Sequence, residues 1–316
     1  CHPNGGSYYS RTLSEQQVAA LMPAAQEAYR ARLHRHSLEK GVRPWELVNC
    51  TANNDPNDIW IGMEWETGFK TLNEYRAVVD YMWKYHNNWA IDAEGIGAHF
   101  GEFTFPPCNL SDYLEGKSMM DSVRNWMKSK GIVTPRNYEE ITPNHYDYSG
   151  DATDNWGCHV NISVPMTRDN RLAHFTMNLL VTYLSRAMEE MSDEQQQELF
   201  GRTPYGYGGH RTNPDGTEHW WEWKLFRTPV SDEEVENIRK VAGRLALLLG
   251  EYSTNPKKYF VNLINRRGYY TAKYLVPTGD ELFNYLSERS ELVTGKLHDT
   301  SVNTDRVDPS LFASVN

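Results

Sequence analysis

Long apolar runs are missing from this 316-residue sequence. None reaches the ~20 residues that a helix needs to cross a bilayer, and the mean hydropathy of −0.68 agrees, so a membrane-spanning helix is excluded. Cysteine is sparse: Cys1, Cys50, Cys108 and Cys158 show no CxxC spacing. That speaks against a zinc ribbon or a disulfide scaffold and makes a reducing, cytoplasmic compartment the expectation. An excess of positive charge is absent as well. With 32 Lys and Arg against 42 Asp and Glu, the net charge is −10, and a phosphate backbone repels such a chain at long range, so broad nucleic-acid binding is not expected. A local pair such as Arg266-Arg267 could still grip a phosphorylated small molecule. The phosphate-cradling GxGxxG and GxxxxGK[ST] and the nucleophile elbow GxSxG are all absent, which argues against Rossmann, P-loop and α/β-hydrolase readings.

What is present is an aromatic-rich globular composition: 10 Trp, 19 Tyr and 10 Phe, with 39% hydrophobic and 23% charged residues. Length alone fits two domains of ~150 residues or one large one, and no repeat or linker divides the chain. The sequence opens on Cys1. An N-terminal cysteine can act as a nucleophile with its own amine as base; loss of a leader is the plainer reading, beside the tail-like Gly5-Gly6-Ser7. The sequons at 49–51, 109–111 and 161–163 are taken as chance matches, because no secretory segment accompanies them.

Periodicity outlines the elements. Ser14 and Gln17 form a capping box, and Pro23 begins a second helix toward His36. IWIGMEWET at 59–67 alternates as a half-buried strand does. Helices are expected at 73–85, 112–130, 169–191, 192–201 and from Ser231 onward, with strands at 89–92, 100–105, 156–164 and 219–226. Pro106-Pro107 should stop the second of these strands. The stretch 201–211 is read as a Gly/Tyr-rich loop. Residues 219–226 form the last clear strand, and the chain beyond 270 is expected to be helical in pieces and to fray near 298. This pattern predicts an α+β fold, an antiparallel sheet with helices packed on one face. The organisation is an N-terminal helical region 1–56, a main domain 57–298 and a tail 299–316.

The chemistry lies in the strands, where residues two apart share a face. Glu64 and Glu66 point one way, Met63 and Trp65 the other. Two carboxylates on one face repel unless a cation lies between them, and Mg²⁺ suits carboxylate oxygens; solvated glutamates on an exposed face are the alternative. Glu102 sits among Phe100, Phe103 and Phe105, where an unpartnered carboxylate is costly. GCHVNISV places His159, Asn161 and Ser163 on one face, away from Cys158. HWWEWKLFR places Glu222 and Lys224 opposite Trp221 and Trp223, with Arg227 at the end. Together the four strands point to a polar, cation-lined cavity above a sheet. Arg202, His210 and Arg211, in a glycine-rich loop, could clamp an anion, or the loop could be a plain surface connection. Asp92 could orient a ligand or end its strand, while His99, His145 and His219 are given no role.

These strands resemble those of the carboxylate–amine amidoligases, a family with a glutamine synthetase-like fold related to glutamate–cysteine ligases. GMEWE at 62–66 is similar to its GxExE strand, IDAEG with GEFTFPP at 91–107 to its Asp and ExxSPP strands, GCHVNISV to its CGxHVHV strand, and EWKLFRT to its EFR strand, over roughly residues 57–230. The resemblance implies a curved antiparallel sheet on which ATP phosphorylates a carboxylate and an amine displaces the phosphate. It implies that Glu64, Glu66 and Glu102 hold Mg²⁺ and that His159 meets nucleotide phosphates or a metal. Glu222 would add a metal contact, and Lys224 or Arg227 would neutralise the transferred phosphoryl group. Asn161 replaces the second His of HVHV, and Lys224 replaces an Arg, which loses the bidentate fork. The substrates would be a carboxylate and an amine, as small molecules or as groups on a macromolecule. Two alternatives stand beside this reading: a glycosidase built on Glu64 or Glu102, and a non-catalytic protein that keeps the fold.

Overall fold

The computed structural model describes residues 58–85, 90–92, 100–135, 156–165, 171–204, 208–212, 219–255, 259–264, 270–291 and 295–302. The helices expected before residue 57, with Cys1 and Cys50, lie outside them, as do His99, His145, Arg266-Arg267 and the side chains of Asp92 and His219.

A six-stranded antiparallel sheet forms the centre. Its strands are β1 (Trp60–Gly68), β2 (Ala90–Asp92), β3 (Phe100–Asn109), β4 (Gly157–Ser163), β5 (Gly209–Thr212) and β6 (His219–Arg227), in the order β2-β3-β1-β4-β6-β5. Alternation fixes which face each residue takes, since a one-residue slip would turn every buried side chain outward. Ile61, Met63, Trp65, Phe103, Phe105, Val160, Ile162, Trp221 and Trp223 all fall on one buried face. Trp65 packs near Phe103 and Phe105, with ring centroids 6.2 and 6.1 Å away. Trp221 and Trp223 are therefore core, whereas Trp220 alternates to the other face with Glu222 and stands outside that cluster. Cys158 joins them, fully buried, and burial pushes its thiol up to about 12.

Helices cover this face: α1 (Leu72–Tyr85), α2 (Leu110–Leu114), α3 (Met119–Ser129), α4 (Arg171–Glu189), α5 (Asp193–Phe200) and α6 (Asp232–Thr254). The single helix expected over 112–130 is two. Gly116 takes φ 70°, and Ser118 and Asp121 close a capping box that restarts the chain as α3; local side-chain hydrogen bonds outcompete the continuing helix there. α5 begins at the Ser192–Gln195 capping box and ends at left-handed Gly201. Ser231 caps α6, but Glu234 reaches back to Val230 N and to Arg227 rather than to the cap itself.

Three further expectations are corrected. β3 continues past Pro106-Pro107 to Asn109, because its register with β1 jumps from Met63↔Phe105 to Ile61↔Cys108 and sets both prolines in a bulge opposite Gly62. A bulge tolerates residues that cannot donate to the ladder. Part of the 201–211 loop is strand β5, paired with β6. Finally, β6 is not the last strand. β7 (Phe260–Ile264), β8 (Tyr270–Val276) and β9 (Lys296–Val302) make a second antiparallel sheet, and α7 (Gly279–Leu286) is the helical piece beyond 270. β9 crosses position 298 instead of fraying there. The α+β class and the antiparallel sheet stand as observed.

Candidate metal centre

The face of the sheet opposite the tryptophans carries the polar residues, and the ladder sets their neighbours. Glu64 pairs with Thr104 on one side and His159 on the other; Glu66 stands across from Glu102, and Asp92 occupies the register position beyond Glu102. Asn161 lies across from Gly62 and from Glu222. Side chains from four strands thus meet above β1 and β4.

At the centre is His159, 3% exposed. Its Nδ1 lies 3.2 Å from Glu64 Oε2 and 3.6 Å from Glu222 Oε1, while Nε2 lies 3.7 Å from Glu66 Oε1. One ligating atom from each of Glu64, Glu102 and His159 can be chosen so that all lie within 4.8 Å of one another, the spacing of a shared cation. Burial alone would raise the Glu64 carboxyl, but the hydrogen bond and charge of His159, with a hydrogen bond to Glu102, outweigh it and bring it down to about 2. Two carboxylates brought this close repel, and a divalent cation between them offsets the repulsion.

The donor set fits a hard cation. Two carboxylates meet the usual Mg²⁺ requirement of one or two protein carboxylates, the remaining positions being left for water or phosphate oxygens. Asn161 donates from Nδ2 to Glu64 Oε1 at 3.1 Å, and its buried Oδ1 has no hydrogen-bond partner among the described residues. An amide oxygen of this kind is a further hard donor. Gly157 keeps the centre open: a Cβ there would stand 2.9 Å from His159 Nε2, 3.2 Å from an Arg202 nitrogen and 3.3 Å from Glu66 Oε2.

The expected cations divide into groups. Arg211, on β5, binds Glu222 with contacts of 2.6 and 2.8 Å, and Lys224 Nζ lies 3.5 Å from the same carboxylate. Glu222, itself 3% exposed, therefore links the acidic cluster to a cationic edge. Arg202 is buried, donates to Lys224 O at 3.3 Å and reaches the space above Gly157. Arg227, which stands across from Gly157 in the ladder, is bonded to Glu234 Oε1 at 3.1 Å at the start of α6. His210 lies against Trp221, with centroids 5.7 Å apart.

Sequence reasoning gave no role to Gly157 or Thr228. Thr228 N bonds Trp156 O, and its Oγ1 meets Glu66 O at 2.6 Å and Gly157 O at 3.0 Å, fastening the ends of β1 and β4. A glycine inside an alternating strand was the available signal for Gly157, because it marks a close approach; Thr228 left none.

No family model matches the chain, and no curated protein matches it in sequence. Among solved structures it is distantly similar to a chain from the complex of the prokaryotic ubiquitin-like protein Pup with its ligase PafA, at 12% identity and a TM-score of 0.33. The match covers 64% of this chain and 48% of that one, so it spans about half of the neighbour's length.

Proposed function

We propose that the protein is an ATP- and Mg²⁺-dependent carboxylate–amine ligase with a glutamine synthetase-like sheet. The observation that carries this reading is the convergence of Glu64, Glu102 and His159 on one face of the sheet. The motif-by-motif resemblance over residues 57–230 supplies the reaction class. The catalytic unit begins near residue 57 and extends through β9.

In this reading Glu64 and Glu102 hold Mg²⁺ with His159 at the same centre, and Asn161 Oδ1 offers a further oxygen. The bound ion would supply charge neutralisation for nucleotide phosphates. Lys224 and Arg202 would neutralise the transferred phosphoryl group, and Arg211 could hold an anionic oxygen of nucleotide or substrate. Glu222 holds Arg211 and Lys224 near the cluster. Arg227, across from Gly157 in the ladder and paired with Glu234, is the alternative to Lys224 for neutralising the transferred phosphoryl group. The reaction balances in two steps. A substrate carboxylate oxygen takes the γ-phosphoryl group as ADP leaves; an amine nitrogen then bonds the acyl carbon, the acyl–oxygen bond breaks, and phosphate and a proton depart. Phosphoryl transfer depends chiefly on positioning and charge neutralisation, which this face is built to provide.

The glycosidase alternative needs two carboxyl groups ~5–9 Å apart, with sugar between them. Glu64 and Glu102 bring an oxygen each within 4.8 Å of the other and of a His159 nitrogen, closer than that spacing. The test is phosphate release from ATP in the presence of Mg²⁺, screened over pairs of carboxylates and amines. Release that requires one member of each class supports the reading. Absence of both nucleotide binding and phosphate release would overturn this reading in favour of the glycosidase or of a non-catalytic protein that keeps the fold.

A further inference from the structure

The Glu64–Glu102 side of His159 and its Glu66 side are built differently. In a regular antiparallel ladder, the Gly157 N–H would meet a backbone carbonyl of β1. Here it donates to the Glu66 side chain, at 2.9 Å to Oε2. The Glu66 carbonyl oxygen is taken by Thr228 Oγ1 at 2.6 Å. The Glu66 carboxylate is therefore fixed by main chain at one oxygen, and its other oxygen addresses His159 Nε2 at 3.7 Å. The opposite ring nitrogen, Nδ1, is the one that faces Glu64 and Glu222. Glu66 is also outside the triad of ligating atoms that lie within 4.8 Å of one another.

We infer that Glu66 is a positioning residue: anchored by Gly157 N–H and by Thr228, it orients the His159 ring through Nε2 so that Nδ1 faces the cation, and it is not itself a metal ligand. This rests on the metal centre proposed above and revises the ligand set suggested by the sequence. A carboxylate behind a metal-bound imidazole commonly fixes ring orientation, and losing it weakens binding by about 10–100-fold without removing the site. The anchoring explains why residue 157 is glycine, since a side chain would enter the gap between Glu66, His159 and Arg202.

The test uses the full chain with Mn²⁺ as the probe, read by electron paramagnetic resonance, with ¹⁵N spectra of the His159 imidazole assigned from His159→Asn. Glu66→Gln keeps an acceptor for Gly157 N–H and should hold Mn²⁺ within about tenfold of the unaltered protein, with the histidine nitrogen coupling to Mn²⁺ retained. Glu66→Ala should lose about 10–100-fold together with that coupling, while circular dichroism shows the fold intact. Glu64→Gln should lose far more than Glu66→Gln. Equal losses for Glu64→Gln and Glu66→Gln in folded proteins would overturn the inference and make Glu66 a ligand. If the unaltered protein takes up no Mn²⁺, the ligase reading fails, and the positioning role is then decided on the metal-free protein. There Glu66→Ala must shift the His159 Nε2 resonance more than Glu66→Gln does, and unchanged spectra would refute it.

Discussion

Two buried acidic sites in this protein are built on opposite principles. Asp121, at the start of α3, is closed: Arg239 of α6 bonds both of its oxygens, at 2.8 and 3.2 Å, and Ser118 Oγ donates at 2.6 Å. Arg239 also donates to Tyr113 O at 2.9 Å, so one side chain ties α2, α3 and α6 together. Above the sheet, Glu64 and Glu102 meet one another, with His159 and Asn161 alongside. A carboxylate met at both oxygens by a guanidinium is a structural tie. Two carboxylates whose oxygens come within 4.8 Å of one another and of a histidine nitrogen form a site that a cation could occupy. The same residue type thus closes a structural tie in one place and, in the reading proposed above, offers ligands in the other.

The comparison can be broken in several ways. Asp121→Asn takes from half-buried Arg239 the carboxylate that meets both of its terminal nitrogens, leaving it Glu236 at 3.1 Å, and should cost about 1.5–3 kcal/mol, measured by denaturant unfolding, with divalent-ion binding unchanged. A loss below about 1 kcal/mol would show the pair to be no better than a surface one. Glu102→Gln should behave oppositely: it removes one of two neighbouring carboxylates, so stability at neutral pH should hold or rise by about 1 kcal/mol while ion binding falls. Marked destabilisation would make Glu102 a structural residue. Gly157→Ala forces a methyl against His159 and should cost about 1–3 kcal/mol and disturb ion binding, whereas Gly131→Ala has open space around it and meets only the cost of its φ of 67°.

The smallest effect is in acid. Burial would raise Asp121, but Arg239 and Ser118 outweigh it and hold the carboxyl below its ordinary value of 3.8. Because the folded value is the lower one, the contribution is complete above about pH 4 and is lost as pH falls through the folded value. Acid unfolding of Asp121→Asn should therefore show a shallower dependence on pH below 4, and an identical slope would remove Asp121 from the account.

Much of the fold was legible because one signal dominates it. In GMEWE, GCHVNISV and HWWEWKLF the apolar and polar residues alternate so regularly that each face could be assigned before any contact was known. What escaped depends on pairing partners rather than on local pattern. The bulge that carries β3 through Pro106-Pro107 exists only against Gly62, and the break between α2 and α3 turns on Gly116 and the Ser118–Asp121 box. The second sheet was missed although YTAKYLV is rich in strand-forming residues, because KLHDTSV, its partner, is too polar to announce itself. In the site, residue types and faces could be read, whereas the different settings of Glu64 and Glu66 could not: they follow from a main-chain N–H that turns to a side chain.

The central claim is most directly tested by calorimetric titration of Mg²⁺ with a non-hydrolysable ATP analogue into the unaltered protein, Glu64→Gln and Glu102→Gln. The account predicts saturable binding that depends on Mg²⁺ and weakens by about a hundredfold or more in both folded variants. Equal affinity in all three proteins would contradict it.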